Sequence, residues 1–546
     1  MLPCTAVGTP IALYVVALVV RLVLIGLFPD PAYVDSEYYV DVARRLASGQ
    51  GLTIDAVWIF AEVGGTIPVD PSLPIPSHAH WMPLATLVQV PFILLLGATP
   101  FASALPFALA GALAAPLAWA IGRDAGARDV VSVGAGLLTA IPALSVVFMP
   151  QPDNFGLYQP LVVAAIWMAS RGLRGDGWAF VAGGLAAGLA TLSRNDGILV
   201  AAVIGLTFAW DRGMAWRSGG ARRPAIGLAA AAGSLALFLL CVVPWYLRQL
   251  AVFGQLSPST ATGRVLYIRT IDEWNSITSP ATLDWLLSQG IGQLLASRVL
   301  GLVAAIVIAS VLLFAIVLVP FALVGAWRRR RDAAFGPYLC YAVILFLFSG
   351  IVSAIHVPGG TFIHSAVVLA PYGYLLALEG VAVLAARLAT RRGRVADVEA
   401  AVRIYVVGVT ALVVALGLLY VPGVHEGWAT RRDRFLAVGS ALAVAGASPD
   451  ERVMSIDASG MKYWTGHPGV VLVNDPIDTI GEVATAYDIR WLVIERSDSV
   501  PAVTPILLED ERPRWVGPAA WRSGDEIALF PVCTTPTDAR CEDDVS

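Results

Sequence analysis

Charge is scarce in this chain. Only 14% of its 546 residues are Asp, Glu, Lys or Arg, against 57% hydrophobic, and the apolar residues fall in repeated blocks that a soluble domain could not bury. Lysine is almost missing. Lys462 is the single instance, arginine supplies the rest of the positive charge, and the net charge of −4 says less than where the arginines sit; no nucleic-acid partner is expected. Cysteine is sparse too, at five residues, with none of the spacings that hold zinc. Cys4, Cys241 and Cys340 lie in or beside apolar segments and read as small buried side chains. Cys533 and Cys541 lie close together in a polar tail, where a disulfide would suit an oxidising compartment. What is abundant is apolar sequence: residues 11–28, 101–121 and 130–149 each come within a few residues of the ~20 that span a bilayer. The first block is preceded by almost no positive charge, keeps Arg21 inside it and lacks a small-residue cleavage site, so a retained helix is expected, not a cleaved signal.

Short cytoplasmic loops are enriched in arginine, and this chain's arginines are clustered. Arg123 and Arg128; Arg171 and Arg174; Arg212, Arg217, Arg222 and Arg223; Arg328 through Arg331; and Arg387, Arg391, Arg392 and Arg394 mark five connections expected on the cytoplasmic side. The intervening connections, 29–100, 150–156, 194–197, 245–293 and 356–361, then face out, as does everything after Val421. This alternation gives roughly eleven spans, provided the ~13-residue apolar stretch around Pro91 lies re-entrant or along the membrane. From about Trp428 the pattern changes to short apolar runs at 452–456, 470–473 and 490–494 between turn residues. The expected fold is therefore an all-α polytopic membrane bundle over residues 1–427 with a small α/β domain outside the membrane over 428–546, and no internal repeat of the kind expected for a two-fold transporter stands out. A multi-pass protein of the bacterial plasma membrane is the matching localisation.

The first outward connection contains the most concentrated chemistry. From Ser36 the sequence reads as an amphipathic helix lying on the membrane surface, with Tyr39, Val42, Ala43 and Leu46 on one face, Asp41 and Arg45 paired on another, and Gly49 as its stop. Asp35 and Glu37 sit at its start beside Tyr38 and Tyr39. Either Asp35 or Ser36 could cap the helix and Glu37 could serve its dipole, so capping and chemistry are both open to these residues.

An acid directly after the first span, followed by the Tyr-Tyr, Ala, Leu and Gly pattern, resembles the first external loop of the GT-C superfamily, especially its protein O-mannosyltransferase and lipid A aminoarabinose transferase branch. Three later stretches are similar to motifs of that family in the same order. They are His80-Trp81-Met82-Pro83-Leu84 through Gly97, Gly188 through Gly197 with Arg194 inside it, and Pro244-Trp245-Tyr246-Leu247-Arg248 with Phe253-Gly254. The resemblance covers roughly residues 11–375. It implies an inverting glycosyltransferase that moves a sugar from a polyisoprenyl-phosphate carrier to an acceptor hydroxyl on a protein, lipid or glycan, with the acid matching Asp35 as catalytic base. Asp153, in a later external loop, matches a second acid that is often Glu in the family.

Departure of a lipid phosphate needs positive charge, and arginine suits it. Arg194, Arg248, Arg264 and Arg269 are the external candidates, Arg248 foremost because it follows the end of a span; snorkelling is its competing role. Tyr38, Tyr39, His80 and His356 are candidate site-lining or acceptor-contacting residues, with packing as the alternative. A divalent metal is a candidate, drawn from Asp35, Glu37, His78, His80 and Asp153, although His78 and His80 are spaced wrongly for a helical ligand pair. The competing function is a polytopic transporter or lipid flippase, which the long first external loop and outer C-terminal domain do not favour.

Overall fold

The computed structural model describes residues 5–219, 221–256, 267, 273, 275–280, 282–352, 361–392, 397–497 and 500–533. The chain divides into two compact units. One comprises Met1–Asp30, Met82–Leu247 and Arg298–His425; the other comprises Pro31–Trp81, Arg248–Ser297 and Glu426–Ser546.

The helices that carry the apolar blocks make the chain an integral, multi-pass membrane protein. Among the described residues seven are long and apolar enough to cross a bilayer: Gly8–Leu27, Pro100–Asp124, Asn195–Arg217, Leu228–Phe253, Ile291–Leu313, Leu369–Arg391 and Val398–Val444. Four shorter apolar helices accompany them, Leu84–Leu96, Asp129–Ala140, Gly177–Ser193 and Gly336–Val352. Within the first unit, small residues let the backbones approach closely. A side chain at Gly184 would run into the carbonyl of Ser234, and side chains at Gly325 and Gly380 would strike the backbones of Leu376 and Phe321. Arg21, deep in the first helix, is buried with its Nη1 donating to the carbonyls of Ala17 at 3.0 Å and Ala140 at 3.3 Å. Ala140 is the last residue of Asp129–Ala140, which stops two residues before Pro142. A guanidinium there meets the negative end of an interrupted helix, where carbonyls lose their intrahelical donors.

The second unit is built on a six-stranded sheet. Its strands are β1 (Ala56–Val57), β2 (Arg452–Ser455), β3 (Gly469–Val471), β4 (Ile489–Glu495), β5 (Trp521–Ser523) and β6 (Ile527–Pro531), in the order β1-β3-β2-β4-β6-β5. The first four run parallel and the last two join antiparallel. β1 comes from the first connection, so the sheet draws on both ends of the sequence. The helix Ala458–Thr465 links β2 to β3, and Phe435, Val438, Leu442, Val453, Met461, Trp491, Val493 and Leu529 form a core on one side of the sheet. Cys533 is disulfide-bonded; Cys541 lies outside the described residues.

The expected surface helix is present as Val34–Ala47, with two corrections. Its N-cap is Tyr33, not Asp35 or Ser36. Ser36, in the first turn, turns its hydroxyl back to accept from the backbone of Ala32 and Tyr33 at 3.0 and 3.2 Å. Arg45 does not form its close ion pair with Asp41. It reaches Asp55 at 3.1 Å, where Lys462 also binds at 3.1 Å. Gly49 does stop the helix, at φ +82°, a conformation that favours glycine. The helix also buries polar side chains, Ser36 and Glu37, along with Tyr38, Tyr39, Val42 and Ala43, because its partner is the helix Ala458–Thr465. Arg44 contacts Tyr463 and Trp464 donates to Glu37 across that packing.

Candidate functional site

Within the second unit, the first turn of Val34–Ala47 sends its two acids to different surroundings. Glu37 points inward and is fully buried. Arg431 grips it with both terminal nitrogens at 2.7 Å and also pairs with Asp457, while Trp464 donates to the same carboxylate at 2.9 Å. Burial pushes the Glu37 carboxyl up to about 7 against the pull of Arg431. An acid so enclosed is a brace between segments of its own unit. Asp35, two residues earlier, is half-buried, and its Oδ1 accepts from the indole N–H of Trp81 at 2.9 Å.

Tyr38 and Tyr39 are buried, so neither offers a face to an incoming acceptor. Tyr38 donates to Glu62 Oε1 and accepts from the His78 backbone N–H, each at 2.8 Å. Glu62 is itself buried, and loss of water pushes its carboxyl up to about 8. His78, at φ +66°, is buried with Nδ1 against Ser77 Oγ at 2.8 Å. Burial and the neighbouring Arg248 charge push its imidazole down to about 3, so it is neutral at physiological pH. Its carbonyl accepts from Gln249 Nε2 at 2.7 Å, and Gln249 Oε1 accepts from Arg248 at 2.8 Å. The guanidinium of Arg248 lies 5.2 Å from the Phe253 ring. Thus the second unit gathers Asp35, Trp81, Tyr38, His78 and the Gln249–Arg248 pair into one connected network. His80 stands half-buried, edge-on to Trp81 at 5.3 Å.

Within the first unit, the predicted Asp153 and Arg194 come together through His364. Asp153 is fully buried, with its Oδ2 3.4 Å from Nε2 of His364. The other ring nitrogen of His364 lies 2.9 Å from Arg194 Nη1, and Arg194 also pairs with Asp196 at 3.0 Å. Arginine can only donate, so Nδ1 is the acceptor and the ring proton sits on Nε2, facing Asp153. Asp153 and His364 are ligand types that could hold a divalent ion. A metal on Nε2 would displace that proton and send it to the nitrogen that already accepts from Arg194, whereas ligating histidines donate their second N–H to an acceptor. Without an ion, the pair is a hydrogen-bonding unit. Glu37 and His78, both among the metal candidates, are engaged elsewhere as described. Arg264, Arg269 and His356 lie outside the described residues.

Sequence reasoning missed Glu62, Trp81, Gln249, His364 and Arg431 as members of these networks. Trp81 was legible as part of the His-Trp-Met-Pro motif, but nothing local said that its indole would meet an acid 46 residues earlier. Arg431 lies in the arginine-rich stretch Arg431-Arg432-Asp433-Arg434, which names no partner in sequence.

Residues 77–246 match the family described as dolichyl-phosphate-mannose-protein mannosyltransferase. No curated protein sequence matches the chain. Among solved structures, ArnT from Cupriavidus metallidurans bound to undecaprenyl phosphate superposes with a TM-score of 0.55 at 16% identity, covering 97% of this chain and 99% of that one. Its apo form gives 0.56 at 15% identity over the same shares. The Archaeoglobus fulgidus oligosaccharyltransferase in complex with Zn and sulfate gives 0.53 at 14% identity, covering 90% of this chain and 68% of that one. The family match thus takes in the His-Trp-Met-Pro and Arg194 motifs, and along nearly its whole length the chain shares its fold with ArnT.

Proposed function

We propose that the protein transfers a sugar from a polyisoprenyl phosphate to an acceptor hydroxyl at the outer face of a bacterial plasma membrane, with inversion at the anomeric carbon. The observation that carries this reading is Asp35. It is half-buried, accepts an indole N–H, and lies in the first turn of the helix that follows the first span in sequence. In the proposed displacement, Asp35 takes the proton of the acceptor hydroxyl as its oxygen bonds to the sugar C1. The bond from C1 to the lipid phosphate breaks, and the phosphate leaves with the electron pair. No acid need protonate it, since phosphate is already a good leaving group. Arg248 is proposed to stabilise the departing anion, at the end of a membrane helix where a lipid headgroup would lie. Positioning and electrostatics then supply most of the rate. Undecaprenyl phosphate in the ArnT structure supports a polyprenyl carrier of this class.

The α/β portion of the second unit is proposed to lie outside the cytoplasm, consistent with the disulfide at Cys533. The test of the donor class is a panel of radiolabelled polyprenyl-phosphate sugars offered to the purified protein in detergent with membrane acceptors. Turnover of one donor identifies the sugar, and a folded protein that neither binds nor turns over any member loses the transferase reading.

A further inference from the structure

Trp81 does more than fill space beside Asp35. Its indole is 8% exposed and stacks on Tyr38 with ring centroids 4.2 Å apart and planes 26° from parallel, while Trp58 meets it edge-on at 6.3 Å. Tyr38 follows Asp35 by three residues on the same helix, so the two side chains share a face. The indole therefore lies on one and reaches its N–H to the other. Tyr38 is fixed in turn at its hydroxyl, between Glu62 and the His78 amide. The His78 carbonyl then ties the same assembly to Gln249. With stacking on one ring face, an edge contact and a 2.9 Å hydrogen bond, this indole has little freedom to turn.

An indole nitrogen only donates, so its bond to Asp35 is made at full strength with the ionised carboxylate and not with a protonated oxygen. The contact thus both orients the carboxylate plane and favours the charge state a base requires. We infer that Trp81 is a positioning residue for the transfer reaction, acting through Asp35 and anchored by Tyr38. The inference rests on Asp35 serving as the base. Packing alone would require the ring but not its N–H, and that difference is measurable.

The experiment compares the full-length native protein with Trp81→Phe and Trp81→His, using the turned-over polyprenyl-phosphate sugar, in otherwise native and Asp35→Asn backgrounds. Phenylalanine keeps an aromatic stack and deletes the donor; histidine restores a ring N–H. The expected result for Trp81→Phe is a fall in kcat of about 10- to 100-fold, the scale of one charge-assisted hydrogen bond, with donor KM unchanged. The acidic limb of its rate profile moves to higher pH, because a base without its donor ionises later. Trp81→His recovers part of the rate, and in the Asp35→Asn background the Trp81→Phe loss disappears. A Trp81→Phe enzyme with native kcat and pH profile overturns the inference, as does an equal loss in the Asp35→Asn background or a failure of both Trp81 variants to fold. Full activity in Asp35→Asn alone instead removes the base reading, and so separates the two failures.

Discussion

Glu37 shows how little a residue's place in a motif says about its work. It lies two positions after Asp35, yet the helix directs it into the interior, where it and Asp457 share the single guanidinium of Arg431. Two buried carboxylates around one cation make that cation indispensable to the local fold. Arg431→Met is predicted to destabilise by about 3–5 kcal/mol, because it strands buried charge. A thermal midpoint in detergent equal to that of the native protein would contradict this. Glu62 gives a second prediction at the same scale. Its carboxyl rises from an ordinary 4.5 to about 8 in the fold. Between those values the folded protein holds a proton that the unfolded chain has released. Stability is therefore greatest below about 4.5 from this group and declines toward pH 8, by at most ~1.4 kcal/mol per pH unit. Glu62→Gln should flatten its share of that slope. Midpoints measured from pH 5 to 8 check it, and an unchanged slope would mean that Glu62 ionises normally.

The elements that carry the apolar blocks were legible because a 20-residue apolar run has few alternatives. The gaps within them were less so. The small residues in Gly183–Gly188 do not announce which helix they will meet, yet Gly184 lies where Ser234 leaves no room for a side chain. Gly184→Leu is predicted to separate those helices at a cost of about 1–3 kcal/mol or more. Its readout is a lowered thermal midpoint, and an unshifted midpoint would mean that the contact is dispensable. Arg21 was visible inside the first span but without a partner in sequence, because that partner is the carbonyl end of a helix more than a hundred residues away. Near residue 428 the polar stretch reads as the end of a span. The helix Val398–Val444 instead runs through it with Pro422 inside, since continued packing of residues such as Phe435, Val438 and Leu442 carries it onward.

At the scale of the whole molecule, the order of the motifs was the strongest signal the sequence held. The stretch from His80 through Trp245 lies inside the family match, and the fold is shared along nearly all of the chain. What sequence could not disclose was long-range pairing. A two-residue strand, Ala56–Val57, joins a sheet whose other strands begin nearly four hundred residues later. So short a strand has no periodicity to read, and its register is set by a partner far along the chain. The same limit hid His364 beside Asp153 and Trp81 beside Asp35: the acids were legible, their partners were not. The central claim is that Asp35 is the base of a sugar transfer from a lipid phosphate. Its most direct test is turnover of a radiolabelled polyprenyl-phosphate sugar by the purified native protein and by Asp35→Asn, with donor binding followed in parallel. The account predicts that Asp35→Asn binds the donor like the native protein and loses at least about 100-fold in turnover; native turnover in Asp35→Asn would contradict it.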